Sequence, residues 1–114
     1  MKKDSVISEK SFQFSLKIIG LYKILVAQKE FVISKQLLRS ANSIGANVEE
    51  ASAATSKKDF AYKISISSRE ARESKYWLRL LNESDLVEVE LNEYLLDVEE
   101  LIRILTAIVK SIQG

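Results

Sequence analysis

The chain has 114 residues, of which 46% are hydrophobic and 29% charged, a composition typical of globular proteins rather than disordered ones. Seventeen basic and sixteen acidic residues leave a net charge of +1, so the total charge does not call for a polyanionic partner. Proline and cysteine are absent and glycine occurs three times, which excludes disulfides and leaves few turn residues for a many-stranded sheet.

These limits favour an all-α protein whose single domain spans residues 1–114. Residues 1–5 are basic, but no continuous apolar segment follows them. No apolar run approaches the ~18 residues that a membrane-spanning helix needs. We therefore expect a cytoplasmic protein without a membrane partner.

Helix one is predicted at about residues 8–29, and its apolar residues spread more widely than one packing face requires. Either the helix is clasped on two sides within its own bundle, or it also meets another subunit. Ser34 is the predicted N-cap of helix two, which follows at about residues 34–54.

Helix two carries a narrow apolar stripe surrounded by small and polar residues. At ~100° per residue the stripe contains Leu37, Ala41, Ile44, Val48 and Ala51. So little bulk predicts the central helix of a bundle, closely approached by its neighbours.

A tight turn would make helices one and two antiparallel. That turn places Gly20 level with Ile44 and Gly45. Two glycines at one level predict a close crossing of the two backbones.

Helix three is predicted at about residues 57–84, after Ser56 as its N-cap. Its core face has a heptad-like spacing and consists of Phe60, Ile64, Ser67, Ala71, Ser74, Leu78 and Leu81. An antiparallel arrangement with helix two sets Ile44 against Ser67, Ala41 against Glu70, and Leu37 against Ser74. Because small residues meet along this seam, close packing is expected.

Glu70 is the one charged residue at that seam. A buried carboxylate without a partner costs several kcal/mol, so Ser40, Asn42 or Arg39 should bond to it. Such a polar network is more typical of a device that fixes helix register than of a catalytic site.

Helix four is predicted at about residues 90–112 and has a heptad-spaced apolar stripe. Tyr94, Leu101, Ile104 and Ile108 widen the apolar face to roughly half the circumference. An apolar face of this width predicts self-association. The candidate oligomer interface is Ile66, Trp77, Tyr94, Leu101, Ile104 and Ile108, with bundle packing as the alternative for Ile66 and Trp77.

The opposite side of helix three alternates basic and aromatic residues within about 100° of arc. This stripe consists of Lys58, Tyr62, Ser65, Arg69, Arg72, Tyr76 and Arg79. Residues 57–79 include seven basic and three acidic side chains, a local charge of +4. The cations would contact phosphates and the rings would stack on bases, so the stripe is a candidate site for RNA or DNA.

Residues 85–103 have the opposite character, with seven acidic side chains and one basic, a local charge of −6. The stripe of helix three would then face helix four of the same or a neighbouring subunit, which fixes register by charge complementarity. An ordinary solvated surface is the third alternative.

The composition argues against catalysis. Histidine and cysteine are absent, which removes triads, thiol nucleophiles and histidine-bearing metal sites. An enzyme would need a pocket around Glu70 and Asn47, and nothing in the sequence requires one. We expect no cofactor, no metal and no small-molecule substrate.

Three segments resemble motifs of one family. Residues 36–51 read QLLRSANSIGANVEEA and resemble Q-L-x-R-S-x-x-S-I-x-x-N-I-x-E-A, with Val48 in place of isoleucine. Residues 56–60 (SKKDF) resemble S-x-x-D/E-F, and residues 70–78 (EARESKYWL) resemble E-A-x-E-x-x-x-W-L. They are the motifs of the bacterial four helix bundle protein family, which includes proteins encoded in intervening sequences of large-subunit rRNA genes.

The resemblance covers about residues 8–112 and implies an antiparallel, up-down four-helix bundle that forms barrel-shaped homopentamers. The chain is also similar to the accessory variability determinant of diversity-generating retroelements, a more basic protein for which nucleic-acid binding is inferred. Because the net charge of this chain is only +1, the resemblance is weaker support for nucleic-acid binding here.

The sequence therefore predicts a non-enzymatic, homo-oligomeric binding or scaffold protein, with RNA, DNA or a nucleoprotein as a partner of the helix three stripe. The alternative is a purely protein-binding ring that presents acidic helix four to a basic partner.

Overall fold

The computed structural model describes residues 2–113, with side chains from residue 6 onward, so Met1 and Gly114 of the predicted domain lie outside it. Four helices occupy most of this range: α1 (Lys2–Ala27), α2 (Ile33–Ser52), α3 (Lys57–Glu83) and α4 (Asn92–Gln113). No strand occurs between residues 2 and 113, which confirms the all-α prediction. α1 begins six residues earlier than predicted, whereas the bounds of α3 differ from the prediction by one residue.

Consecutive helices run antiparallel and pack side by side. Ser15 of α1 lies beside Ala41 of α2, and Arg72 of α3 lies beside Thr106 of α4. α1 and α4 close the bundle, where Lys10 meets Glu100. The result is an elongated bundle with principal extents of 44 × 21 × 20 Å.

The core is made by one face of each helix. The predicted stripe of α2 is confirmed, because all five of its residues are buried. α1 buries a heptad-spaced face although its apolar residues spread around the helix; that face is Ile7, Phe14, Ile18, Leu21 and Leu25. Burial of these apolar side chains is the main driving force for the bundle, at roughly 25 cal/mol per Å² of apolar surface.

Buried serines connect α2 to α3. Ser67 Oγ donates to the carbonyl oxygen of Ile44 at 2.8 Å, and the hydroxyls of Ser40 and Ser74 are 2.8 Å apart. The predicted pairing of Ile44 with Ser67 is therefore confirmed, and so is the close packing of small residues along this seam.

The predicted register of α1 against α2 is wrong. An added Cβ at Gly20 would meet no atom beyond its own helix neighbourhood within 4 Å, whereas one at Gly45 would lie 3.5 Å from Ser11. The chain reverses at Lys29, whose φ of 67° is left-handed, earlier than the predicted turn. This reversal pairs Ser11, instead of Gly20, with Gly45.

That reversal is a Schellman motif, the usual left-handed end of a helix. The Glu30 amide donates to the Leu25 carbonyl at 3.0 Å, and the Lys29 amide donates to Val26 at 2.9 Å. Glycine normally occupies the position of Lys29, so no residue in the sequence marked this turn.

Ser34 is not the N-cap of α2, which begins at Ile33. The Glu30 carboxylate instead accepts hydrogen bonds from the amides of Val32, Ile33 and Ser34. The Ser34 hydroxyl turns back and donates to the Glu30 carbonyl at 2.7 Å. Burial disfavours the charged form of Glu30, but these amide bonds outweigh it and lower the pKa of the carboxyl.

The N-terminus of α3 agrees with the prediction, since Ser56 Oγ accepts from the Asp59 amide at 3.1 Å. Between α3 and α4 the chain passes the end of α1, where Gln28 and the backbone of Glu88 exchange two hydrogen bonds of 2.8 Å. These bonds hold the segment that precedes α4 against the end of α1.

Glu30→Gln should lower the free energy of unfolding by about 1–2 kcal/mol at neutral pH, because the amide retains only part of the capping bonds. The pKa of Glu30 is lower in the folded state than its ordinary value of 4.5. The stabilisation by the Glu30 cap is therefore complete above pH 4.5 and is lost as the pH falls through the folded-state pKa. Urea denaturation at several pH values measures it. Glu49→Gln is the matched exposed control, and an equal loss in both variants at neutral pH would contradict the capping role.

Gly20→Ala should raise the free energy of unfolding by about 0.5–1 kcal/mol, since Gly20 is exposed within α1 and alanine has the higher helix propensity. Gly45→Ala should raise the free energy of unfolding by less, because the added Cβ would contact Ser11. Urea denaturation of both variants tests the register, and destabilisation by Gly20→Ala would restore the close glycine crossing that the sequence predicted.

Candidate nucleic-acid interface

The stripe of helix three lies on the outer surface of α3. Its basic residues are exposed, and Tyr62 and Tyr76 expose 59% and 55% of their surface. Because the spacing alternates between three and four residues, the stripe follows the helix axis for about 32 Å from Lys58 to Arg79. The structure therefore brings together the residues that the sequence grouped.

Few of these cations are neutralised within the chain. Arg79 pairs with Glu83 one turn on, and Arg72 donates to the neutral hydroxyl of Thr106 at 3.2 Å. In the described part of the chain, Lys58 and Arg69 have no carboxylate within ion-pair distance. The stripe therefore keeps most of its positive charge toward solvent.

Three of the four acidic residues of α4 contact α1, and the fourth, Glu99, lies on the side of α3. Lys17 binds both Glu93 and Asp97, and Lys10 lies 3.2 Å from Glu100. Hydrogen bonds to Asp97 and Glu93 raise the pKa of Lys17, with burial acting weakly against them. One alternative was that acidic helix four faces the basic stripe of helix three. Within this chain, the acidic residues of α4 that form ion pairs are bound by lysines of α1.

A cleft of about 440 Å³ separates α3 from α4 alongside the stripe. Its walls are formed by Arg72, Lys75, Tyr76 and Arg79 of α3 and by Glu99, Ile102 and Arg103 of α4. Lys75 and Arg103 were not among the predicted site residues. Arg103 is the single basic residue of the acidic segment 85–103, which is the one sequence signal that would have found it.

Glu70 belongs to a separate polar cluster across α2 and α3. Arg39 donates to Glu70 at 2.8 Å and also binds Glu73, which confirms Arg39 among the predicted partners. The Trp77 indole donates to Glu73 at 2.9 Å. This hydrogen bond lowers the pKa of Glu73; Arg39 lowers it further, and burial acts in the opposite direction. Asn47 bonds to Ser43 of its own helix, so Asn47 and Glu70 make no common site.

The predicted interface residues fall into two groups. Leu101 and Ile108 are buried in the core of the chain itself, so they do not reach a second copy. Trp77, Tyr94 and Ile104 pack partly against the core, and Ile66 is half-buried beside it. The apolar face of α4 is therefore mostly covered by the bundle that contains it.

Apolar surface is instead exposed on α1, where no interface residue had been named. Phe12, Leu16 and Ile19 expose 59%, 48% and 39% of their surface at helical spacing. We call these three residues the α1 ridge. Phe12 also borders a shallow groove of about 500 Å³ between α1 and α2, lined by small residues such as Ser15 and Gly45. The wide apolar distribution in helix one was the signal for this surface.

Comparison with known proteins identifies the family. The 23S rRNA-intervening sequence protein family matches residues 3–107. The chain belongs to this family. The resemblance read from residues 36–51, 56–60 and 70–78 is thereby confirmed.

One solved relative of this family is similar over nearly its whole length. It is a protein of unknown function from the S23 ribosomal protein family of Bacteroides thetaiotaomicron, with 45% sequence identity and a TM-score of 0.90. The alignment covers 95% of this chain and 98% of the relative. The comparison with curated proteins gave no match.

Two further properties of this family member bear on its sites. Within residues 2–113, no helix combines the length and apolar character needed to cross a membrane. The described side chains form no cluster of three or more carboxylates suited to a metal ion.

Proposed function

We propose that this member of the 23S rRNA-intervening sequence protein family is a non-enzymatic, self-associating protein that binds nucleic acid through the stripe on α3. The observation that carries the proposal is the row of four exposed cations, Lys58, Arg69, Arg72 and Arg79, interleaved with the exposed rings of Tyr62 and Tyr76. Arg69 and Lys58 are not engaged by carboxylates of the described chain, so binding a phosphate breaks no internal ion pair there.

The chemistry of the stripe suits a polyanion with accessible bases. Guanidinium groups bind phosphate oxygens through paired N–H donors, and tyrosine rings stack on bases with little sequence preference. Because the net charge is only +1, attraction depends on the local concentration of charge on α3. Binding of this kind is strongly salt-dependent, since it releases counterions from the nucleic acid.

Family membership is compatible with this proposal but does not carry it. The family name refers to the intervening sequences of rRNA genes and describes no activity. The related Bacteroides protein has an unknown function. The surface of this chain is therefore the basis for naming nucleic acid as the partner.

Self-association is the second part of the proposal, and the α1 ridge supports it. Three exposed apolar side chains on one helix face lose contact with water when a second copy covers them. A homopentamer is the state that the family resemblance implies. Repetition of the α3 stripe around such a ring would multiply the phosphate contacts.

A purely protein-binding ring is the alternative function, and the α1 ridge favours it equally because apolar surface has no use in phosphate binding. The earlier form of this alternative, with acidic α4 as the docking face, has less support, because Glu93, Asp97 and Glu100 already bind lysines of α1.

The double variant Arg69→Glu, Arg72→Glu should weaken binding to labelled RNA hairpins and duplex DNA at least tenfold in fluorescence anisotropy, because two phosphate contacts become repulsive. Lys23→Glu, Lys35→Glu is the matched control, with the same charge change on exposed residues of α1 and α2. Wild-type binding should also weaken between low and near-physiological salt. Absence of binding by the wild type at low salt would refute the nucleic-acid function and leave the protein-binding ring. Equal losses in both variants would remove the α3 stripe as the binding site.

Leu16→Glu should convert the assembly to single chains of 12.9 kDa, because it places a charge at the centre of the α1 ridge. Sedimentation velocity measures the change, with circular dichroism to show that the helices remain. Leu96→Glu, at an exposed position of α4, is the control and should keep the wild-type assembly. A wild type that sediments as a single chain would contradict self-association, and an unchanged Leu16→Glu assembly would remove the ridge as its interface.

A further inference from the structure

The cleft between α3 and α4 concentrates positive charge from two helices. Arg72, Lys75 and Arg79 line one wall and Arg103 stands on the other, against a single carboxylate, Glu99. The stripe read from sequence follows one helix, whereas this cleft surrounds a bound group from two sides. Cations that converge on a concave site bind a phosphate more specifically than cations along a convex helix.

Most of these cations are available to a ligand. Arg79 is the one lining cation that forms an ion pair among the described residues, through its exposed contact with Glu83. Arg72 donates to the Thr106 hydroxyl of α4, which ties the guanidinium to α4 without neutralising it. An incoming phosphate would therefore find three unpaired cationic side chains there.

The cleft also offers an apolar and an aromatic surface. Ile102 contributes apolar surface to the lining, and Tyr76 forms part of the wall. Tyr76 also borders a second hollow of about 220 Å³ with Leu80, on the side toward the end of α3. The Trp77 ring meets the Tyr76 ring edge-on with a centroid distance of 5.2 Å, which supports the phenol in its exposed position.

We propose that this cleft is a subsite for an unpaired nucleotide of single-stranded RNA or DNA. Its phosphate binds among Arg72, Lys75 and Arg103, and its base stacks on Tyr76. A volume of about 440 Å³ lies in the range of pockets that hold small ligands. Bases inside a duplex are already stacked on their neighbours, so only an unpaired base is free to reach the tyrosine.

This inference rests on the proposed nucleic-acid function and makes it more specific. The stripe alone predicts binding of any nucleic acid through its backbone. The cleft adds a preference for single strands and assigns a role to Arg103, which lies outside the stripe on a different helix.

The test is fluorescence anisotropy with a labelled twelve-nucleotide oligouridylate and a twelve-base-pair RNA duplex, both at low salt. Three variants are compared with the wild type: Arg103→Ala, Tyr76→Leu, and Lys110→Ala as a control. Lys110 is an exposed cation of α4 that does not line the cleft. Circular dichroism checks that each variant keeps the wild-type helices.

The wild type should bind the single strand at least fivefold more tightly than the duplex. Arg103→Ala should weaken single-strand binding about fivefold to tenfold, and Tyr76→Leu should abolish the preference for the single strand. Lys110→Ala should change either affinity less than twofold.

Two failures are distinguishable. Equal or tighter binding of the duplex by the wild type, or equal effects of Arg103→Ala and Lys110→Ala, would overturn the cleft assignment while the stripe function stands. No binding of either probe would overturn the proposed function and the cleft together.

Discussion

The close packing of α2 against α3 is the constraint on which the rest of the molecule depends. Small buried residues let these helices approach, and their hydroxyls must find partners because an unsatisfied buried hydroxyl costs about 1–3 kcal/mol. Ser67 satisfies this need at the Ile44 carbonyl, and Ser40 does so with Ser74. The observed register of α3 against α2 allows both the close approach of the helices and these two hydrogen-bonded pairs. That register fixes the rotation of α3 and so directs its basic face outward.

Charge is sorted among the helices in a way that the net charge conceals. Lys17 draws Glu93 and Asp97 of α4 toward α1, while Arg39 of α2 binds the carboxylates that α3 turns inward. Exposed ion pairs of this kind contribute little to stability, typically below 1 kcal/mol. Their larger effect is on the field around the molecule, since they offset part of the acidic charge and leave the cations of the α3 stripe facing solvent.

The sequence predicted those features that depend on periodicity and missed those that depend on a single backbone angle or on two helices at once. The stripe on α3 and the pairing of Ile44 with Ser67 follow from regular spacing, so both were predictable. The α1–α2 register depends on Lys29, a non-glycine residue in a left-handed conformation, which no sequence pattern marks. Arg103 joins the cleft only once the α3–α4 register is known.

The two proposed surfaces are compatible because of where their helices stand. α1 lies beside α2 and α4, and within the described residues its backbone does not come close to that of α3. α1 and α3 are thus diagonal in the bundle, and the α1 ridge faces away from the stripe. A second copy that covers Phe12, Leu16 and Ile19 leaves Arg69 and the α3–α4 cleft open. The proposed assembly through α1 would repeat the binding site on each copy, and weak contacts at each copy would sum to a strong one on a long strand.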